Sequence, residues 1–158
     1  MRLGVRLGID VGRARIGVAR CDAGALLAVP VETVPRASDG DADVRRLLEL
    51  AEEFGAIELV VGHPLSLSGA ATASTDDAVA FAERLAAAGA SVRLVDERLS
   101  TVSAQQALRA SGRSSRSQRP VVDQVAAVII LQHAIDTERA SGAEPGRMLT
   151  TDEGSSPL

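Results

Sequence analysis

At 158 residues, with 46% apolar residues and a formal charge of −4, the chain suits one globular domain and is too short for two ordinary ones. No apolar run reaches the length of a membrane span, and the opening Met1-Arg2-Leu3-Gly4-Val5-Arg6 lacks the apolar core of a signal peptide. One cysteine and two histidines exclude an internal disulfide and offer no zinc-ligand spacing, so a cytoplasmic protein is expected.

Leu7, Ile9 and Val11 alternate with Gly8, Asp10 and Gly12, the period of a β-strand. One face is apolar, and the other carries a single carboxylate between two residues without side chains. Those glycines are expected to clear room beside Asp10 for a metal ion or a phosphate backbone. A carboxylate bonded to backbone amides, or paired with Arg13 or Arg15, explains the stretch equally well. Ile16, Val18 and Cys21 then predict a second strand, antiparallel to the first, with Cys21 packed as a small apolar residue. Residues 26–36 read as a third strand, punctuated by Pro30 and Pro35.

Ser38 or Asp39 is placed to cap a helix whose Val44, Leu47, Leu48, Ala51 and Phe54 share a face, with Gly55 ending it. Residues 57–62 form a short apolar strand of the kind covered on both sides, followed by a loop over 63–69. A second helix is expected from about Thr75 to Ala88 and a fifth strand over 91–96. Ser100 or Thr101 caps a third helix through Ala104, Ala107 and Leu108, and Ser111 to Arg119 read as a mobile loop. Pro120 suits the first turn of a last helix running from Val121 to about Arg139. The composition from Ala140 onward predicts a disordered tail, so residues 1–139 are the domain and 140–158 the tail. The order predicts an α/β fold: a five-stranded mixed sheet, an antiparallel meander then parallel strands, with helices on both faces.

The charge is unevenly spread. Residues 1–21 hold five Arg and one Asp; 22–97 hold five Arg and fourteen acids; 98–122 hold five Arg and no carboxylate. Two basic stretches in an acidic protein point to a localised anion-binding face. Every basic residue apart from histidine is arginine, whose planar fork suits bidentate phosphate contacts, although genome composition explains the bias equally. Without Trp or Tyr there is no stacking platform for bases, so a bound nucleic acid is expected to be held by its backbone.

Three acids stand out by context: Asp10 in the first strand, Glu97 at the end of the fifth, and Asp123 in the first turn of the last helix. Each has a plain reading, Glu97 as an exposed strand end and Asp123 as a favourable charge at a helix N-terminus. Together they make a different case. Asp123 shares a face with Ala126, Ala127, Ile130 and Ala134, which should pack on the sheet. If the first and fifth strands lie near the sheet centre, the three carboxylates converge, and a divalent cation relieves their repulsion. Hard oxygen ligands suit Mg²⁺ or Mn²⁺, the metals of phosphodiester hydrolysis.

Gly8-Ile9-Asp10-Val11-Gly12 with Arg15-Ile16-Gly17-Val18-Ala19, Val60-Val61-Gly62-His63-Pro64-Leu65, Asp96-Glu97-Arg98-Leu99-Ser100-Thr101, and Val122-Asp123 leading to Ala126-Ala127-Val128-Ile129-Ile130-Leu131-Gln132 resemble the YqgF family, also called RuvX. Its members are described as Holliday junction resolvases and as pre-16S ribosomal RNA nucleases. The resemblance spans about residues 5–137 and implies an RNase H-like fold. It implies metal-dependent phosphodiester cleavage by an acidic triad that maps to Asp10, Glu97 and Asp123, in maturation of the 5′ end of 16S ribosomal RNA. It departs from the family pattern at Ala14, where a basic residue is usual, and at His63, where an aliphatic one is common. A loop histidine at position 63 is a candidate for proton transfer; His133 is expected to be structural.

On this reading Asp10, Glu97 and Asp123 hold the metal and act in catalysis, while Arg13, Arg15, Arg98, Arg113, Arg116 and Arg119 hold the nucleic-acid backbone. The partner is structured RNA such as pre-rRNA, or branched DNA, bound by a monomer or homodimer; no membrane is involved. Two other classes compete. In one the chain binds structured nucleic acid without catalysis; in the other it hydrolyses nucleotides in the manner of the actin and sugar-kinase group. The last needs a second lobe that 158 residues do not supply.

Overall fold

The computed structural model describes residues 1–63, 73–96 and 115–149, and for residues 63, 73–74 and 115–123 it describes the backbone only. Strands β1 (Arg6–Val11), β2 (Arg15–Cys21) and β3 (Ala28–Pro35) form an antiparallel meander. Helix α1 (Ala42–Phe54), strand β4 (Glu58–His63), helix α2 (Ala73–Ala87) and strand β5 (Val92–Asp96) follow, with β4 parallel to both β1 and β5. Helix α3 (Ser115–Ser141) leads to β6 (Arg147–Leu149), antiparallel to β5. The sheet order is β3-β2-β1-β4-β5-β6. The predicted helix through Ala104, Ala107 and Leu108 lies outside the described residues.

Strand alternation splits the core between the two faces of the sheet. Leu7, Ile9, Ile16, Val61 and Leu94 pack with Leu47 and Leu50 of α1 and Phe81 and Leu85 of α2. On the other face Ala19, Cys21, Val60 and Val95 pack with Ala127, Ile130, Leu131 and Ile135 of α3. Cys21 behaves as expected, fully buried, with its sulfur accepting the Arg6 N–H at 3.3 Å.

Gly8 sets how closely α3 approaches. A Cβ there would stand 2.6 Å from Leu131 Cβ and 2.7 Å from the Ala127 carbonyl oxygen. A Cβ on Gly12 would stand 2.6 Å from the Arg15 carbonyl oxygen, which accepts the Gly12 N–H across the hairpin at 2.9 Å. The expectation that these glycines vacate space for a ligand is therefore corrected: one admits a helix and the other closes a turn.

Several boundaries also differ from expectation. Helix α1 starts at Ala42 behind Asp41, not behind Ser38 or Asp39. The buried Asp43 carboxylate accepts the N–H groups of Ala37 and Val44 and so fixes the entry to the helix. Gly55 ends α1 in the left-handed conformation (φ 64°), as its position implied. Helix α3 begins at Ser115, so Arg116, Arg119 and Pro120 belong to it and no loop runs to Arg119. Side-chain periodicity cannot register turns whose residues are all polar. Among the described residues the sheet has six strands, not five, because residues 147–149, expected in a disordered tail, form β6. Three residues are too few to show alternation. The strand is steered in by Gly146 (φ 59°), where a Cβ would collide with the Leu94 carbonyl, and by Arg93, which donates to the Pro145 carbonyl at 2.9 Å and to Glu144.

At the end of the sheet where β1 begins, charges are buried and paired. Arg6 is 1% exposed, and Glu58, Arg93 and Glu138 are each 3% exposed. Arg2 spans Glu58 at 3.1 Å and Glu138 at 2.8 Å, Arg93 meets Glu58 at 3.0 Å, and Arg6 faces Glu138 at 3.4 Å. This network joins β1, β4 and β5 to the C-terminal half of α3. Arg2 holds the Glu138 carboxyl down at about 2, against the cost of its burial. Burial pushes the Glu58 carboxyl up, but hydrogen bonds from Arg2 and Arg93 outweigh it and leave it below the ordinary value.

Both carboxyls are thus depressed on folding. Their contribution to stability is complete above the ordinary carboxylate range and is lost as pH falls towards about 2. Chemical denaturation at a series of pH values should show stability declining below about pH 4.5, with a shallower decline for Glu138→Gln. For Gly8→Ala we expect a loss of about 1–3 kcal/mol, since Leu131 Cβ and the Ala127 carbonyl oxygen are both fixed by the helix backbone and cannot rotate away. Urea titration should show a lower midpoint at unchanged slope.

Candidate active site

Asp10 is the fifth residue of β1, half-buried, and lies opposite Gly17 of β2. Alternation puts it on the face that bears Arg6 and Gly8, the face covered by α3. The helix runs antiparallel to the strand, since Arg6 meets Glu138 while Gly8 meets Leu131 and Ala127. A strand advances about 3.3 Å per residue and a helix about 1.5 Å, so two strand residues match between four and five helix residues. That brings the level of Asp10 to roughly residues 124–125 of α3. A direct bond agrees: Gln124 Nε2 donates to Thr33 Oγ1 at 2.8 Å, and Thr33 lies opposite Gly17, which lies opposite Asp10. The turn of α3 that contains Asp123 therefore stands at the row of Asp10.

Register on the other side of β1 brings in β5. Ile9 is level with Val61, Val61 with Leu94, and His63 with Asp96, so β1, β4 and β5 end at the same edge of the sheet. Glu97, the residue after Asp96, lies outside the described residues, as does the side chain of Asp123. Among the described residues no group of three His, Cys, Asp or Glu is arranged to hold a metal. Of the triad, the structure describes the Asp10 side chain and, at its level, the backbone turn of Asp123; the other two carboxylates lie outside the described atoms.

Of the arginines read as phosphate contacts, Arg13 is exposed at the tip of the β1–β2 hairpin and Arg15, half-buried, opens β2. Arg116 and Arg119 are in the turns of α3 that precede Asp123, described as backbone. Arg98 and Arg113 lie outside the described residues. The basic character of residues 1–21 divides on folding. Arg2 and Arg6 are absorbed by the ion network at the far end of the sheet, Arg20, level with Leu7, lies over the Phe54 ring, and Arg13 and Arg15 stand at the Asp10 end. His63 closes β4 level with Asp96. His133 is exposed on α3.

Two residues near Asp10 escaped sequence reading. Gln124 ties α3 to β3, and Arg36, just past β3, grips the hairpin. The Arg36 N–H donates to the Ala14 carbonyl at 2.9 Å, and its Nη1 donates to the Gly12 carbonyl at 2.8 Å. The same guanidinium pairs with Asp77 of α2 at 2.9 and 3.1 Å and lies 5.1 Å from the centre of the Phe81 ring. The Asp77 carboxyl is held below its usual range by the Arg36 hydrogen bonds, with the Arg13 charge adding to the effect. Neither residue belongs to a periodic pattern, and no single-sequence signal marks them.

Comparison with known proteins converges on one family. The family model described as "RuvX: Holliday junction resolvase" matches residues 4–137. A protein of Clavibacter sepedonicus named "Putative pre-16S rRNA nuclease" is 69% identical over 94% of this chain and 93% of its own length. One of the same name from Leifsonia xyli is 62% identical over 92% of this chain and 94% of its own. Among solved structures, Thermus thermophilus RuvC in complex with a Holliday junction substrate aligns with a TM-score of 0.50 at 18% identity. The alignment covers 92% of this chain and 99% of RuvC, a likeness of fold that agrees with the RNase H-like architecture expected. With the match running through β1 to β5 and most of α3, the chain belongs to the RuvX family.

Proposed function

We propose that this protein is a divalent-metal-dependent endonuclease that cleaves phosphodiester bonds in the cytoplasm, processing the 5′ end of pre-16S ribosomal RNA. The observation that supports the reading is that Asp10 and the α3 turn of Asp123 lie at one level of the sheet, at the edge where β5 ends one residue before Glu97. Asp10, Glu97 and Asp123 would hold the metal. Their donors are all carboxylate oxygens, which fit Mg²⁺ or Mn²⁺ and not a soft metal. When bound, the ion supplies Lewis-acid activation of water and charge to offset that on the leaving oxygen.

The protein's own part is to bind and align the backbone. Arg13 and Arg15 stand on the hairpin next to Asp10, with Arg98, Arg113, Arg116 and Arg119 assigned to the same task. Their guanidinium forks match phosphate oxygens and carry no base preference, which fits a structured substrate recognised by shape. The names of the curated relatives favour ribosomal RNA. The description of the family model favours a second reading, resolution of four-way DNA junctions. A monomer suffices for RNA, whereas a two-fold junction calls for a homodimer.

Pre-16S transcripts and synthetic four-way junctions, each incubated with Mg²⁺ or Mn²⁺, decide between these readings. The expected result is metal-dependent cutting of the transcript at a defined 5′ position. Asp10→Asn should reduce the rate on the order of 10²–10³-fold. Preferential cutting of the junction selects the second reading, and binding without cutting of either substrate removes the catalytic one.

A further inference from the structure

We infer that Arg36 is a positioning residue for nucleic-acid binding, holding the β1–β2 hairpin so that Arg13 and Arg15 present to the phosphate backbone beside Asp10. The inference rests on the function proposed above and adds a component that touches no substrate.

The hairpin tip is three residues, Gly12-Arg13-Ala14, between the end of β1 and Arg15, which opens β2. One backbone bond of 2.9 Å, from the Gly12 N–H to the Arg15 carbonyl, closes it. Such a tip is free to rock about its strands unless something outside it takes hold. Arg36 does so twice, through its backbone N–H to Ala14 and its Nη1 to Gly12, so the carbonyls on both sides of Arg13 are fixed.

The grip is itself anchored. Nη1 and Nη2 form a two-pronged pair with the Asp77 carboxylate in the second turn of α2, and Nε faces the buried Asp43 carboxylate at 3.6 Å. The guanidinium stacks over Phe81, which is 1% exposed in the core. A loop end is thus coupled through one planar group to a helix, a buried carboxylate and a core ring. Only a guanidinium has the geometry for these bonds together; a lysine ammonium would keep the charge and lose the fork. With Nη1 and Nη2 committed and the side chain 19% exposed, Arg36 is placed to orient the hairpin and not to meet a phosphate itself.

The test is a double-mutant cycle on binding, measured by fluorescence anisotropy. The full chain carries Asp10→Asn so that substrate is not consumed, and the probes are a labelled hairpin RNA and a labelled four-way DNA junction across a salt series. Arg13→Ala should weaken binding about tenfold and flatten the salt slope by about one, the signature of one lost phosphate contact. Arg36→Lys, with charge unchanged, should do nearly the same, and the double variant should be no worse than either alone. Asp77→Asn should also weaken binding, whereas simple removal of a negative charge near Arg13 would tighten it; it also completes the cycle if an Arg36 variant fails to fold.

Losses that multiply in the double variant would overturn the inference, since Arg36 would then act independently of Arg13. So would a lower melting temperature for Arg36→Lys at unchanged affinity and slope, or tighter binding by Asp77→Asn. If the Asp10→Asn parent binds neither probe, the proposed function falls together with the inference. If the parent binds and Arg13→Ala weakens it while Arg36→Lys does not, the inference alone falls.

Discussion

The close approach of α3 to β1 at Gly8 is the constraint from which the arrangement of the site follows. A helix carbonyl and a leucine Cβ occupy the volume that any side chain at that position would claim. Once the helix lies that near, its phase and its level along the strand are settled by the neighbours. Glu138 is drawn to Arg2 and Arg6 at one end, and Gln124 reaches Thr33 at the other. The turn that carries Asp123 then has one place to go, the row of Asp10.

Burying several charges at the base of the sheet is costly unless each is paired and hydrogen-bonded, which here it is. The ion network gives direction to an interface that apolar contact alone would leave free to slide. Alanines and branched aliphatics tolerate small shifts of a helix on a sheet, whereas a two-pronged arginine between two carboxylates does not. The same network takes Arg2 and Arg6 of the N-terminal segment inside, while Arg13 and Arg15 stand at the Asp10 end. Net charge and its running sum along the chain cannot make that distinction.

Much of the fold was legible because it was written in period and punctuation. Leu7, Ile9 and Val11 declared a strand, Gly55 ended a helix, and Cys21 went into the core. What could not be read was whatever depends on partners distant in sequence. Gly8 looked like space for a ligand because nothing in its own stretch reveals Leu131. Position 36 shows no role of its own in the sequence because Gly12, Asp77 and Phe81, which Arg36 joins, come from separate elements. The helical turns before Pro120 and the short β6 carry no hydrophobic pattern, so they were assigned to loop and tail. At the site, sequence order and family resemblance named the acids. Register and helix level supplied the proximity of the first acid to the turn of the third.

The edges of the sheet bear on how copies of the protein can associate. Pro30 and Pro35 remove N–H donors from β3 at one edge, and β6 at the other is only three residues long. Among the described residues neither border offers a long uninterrupted run of amides on which a foreign strand can dock. Self-association by extending the sheet from one molecule into the next is thereby discouraged. The described edges thus keep the β-layer of each copy self-contained and turn any pairing of copies towards helical or loop surfaces.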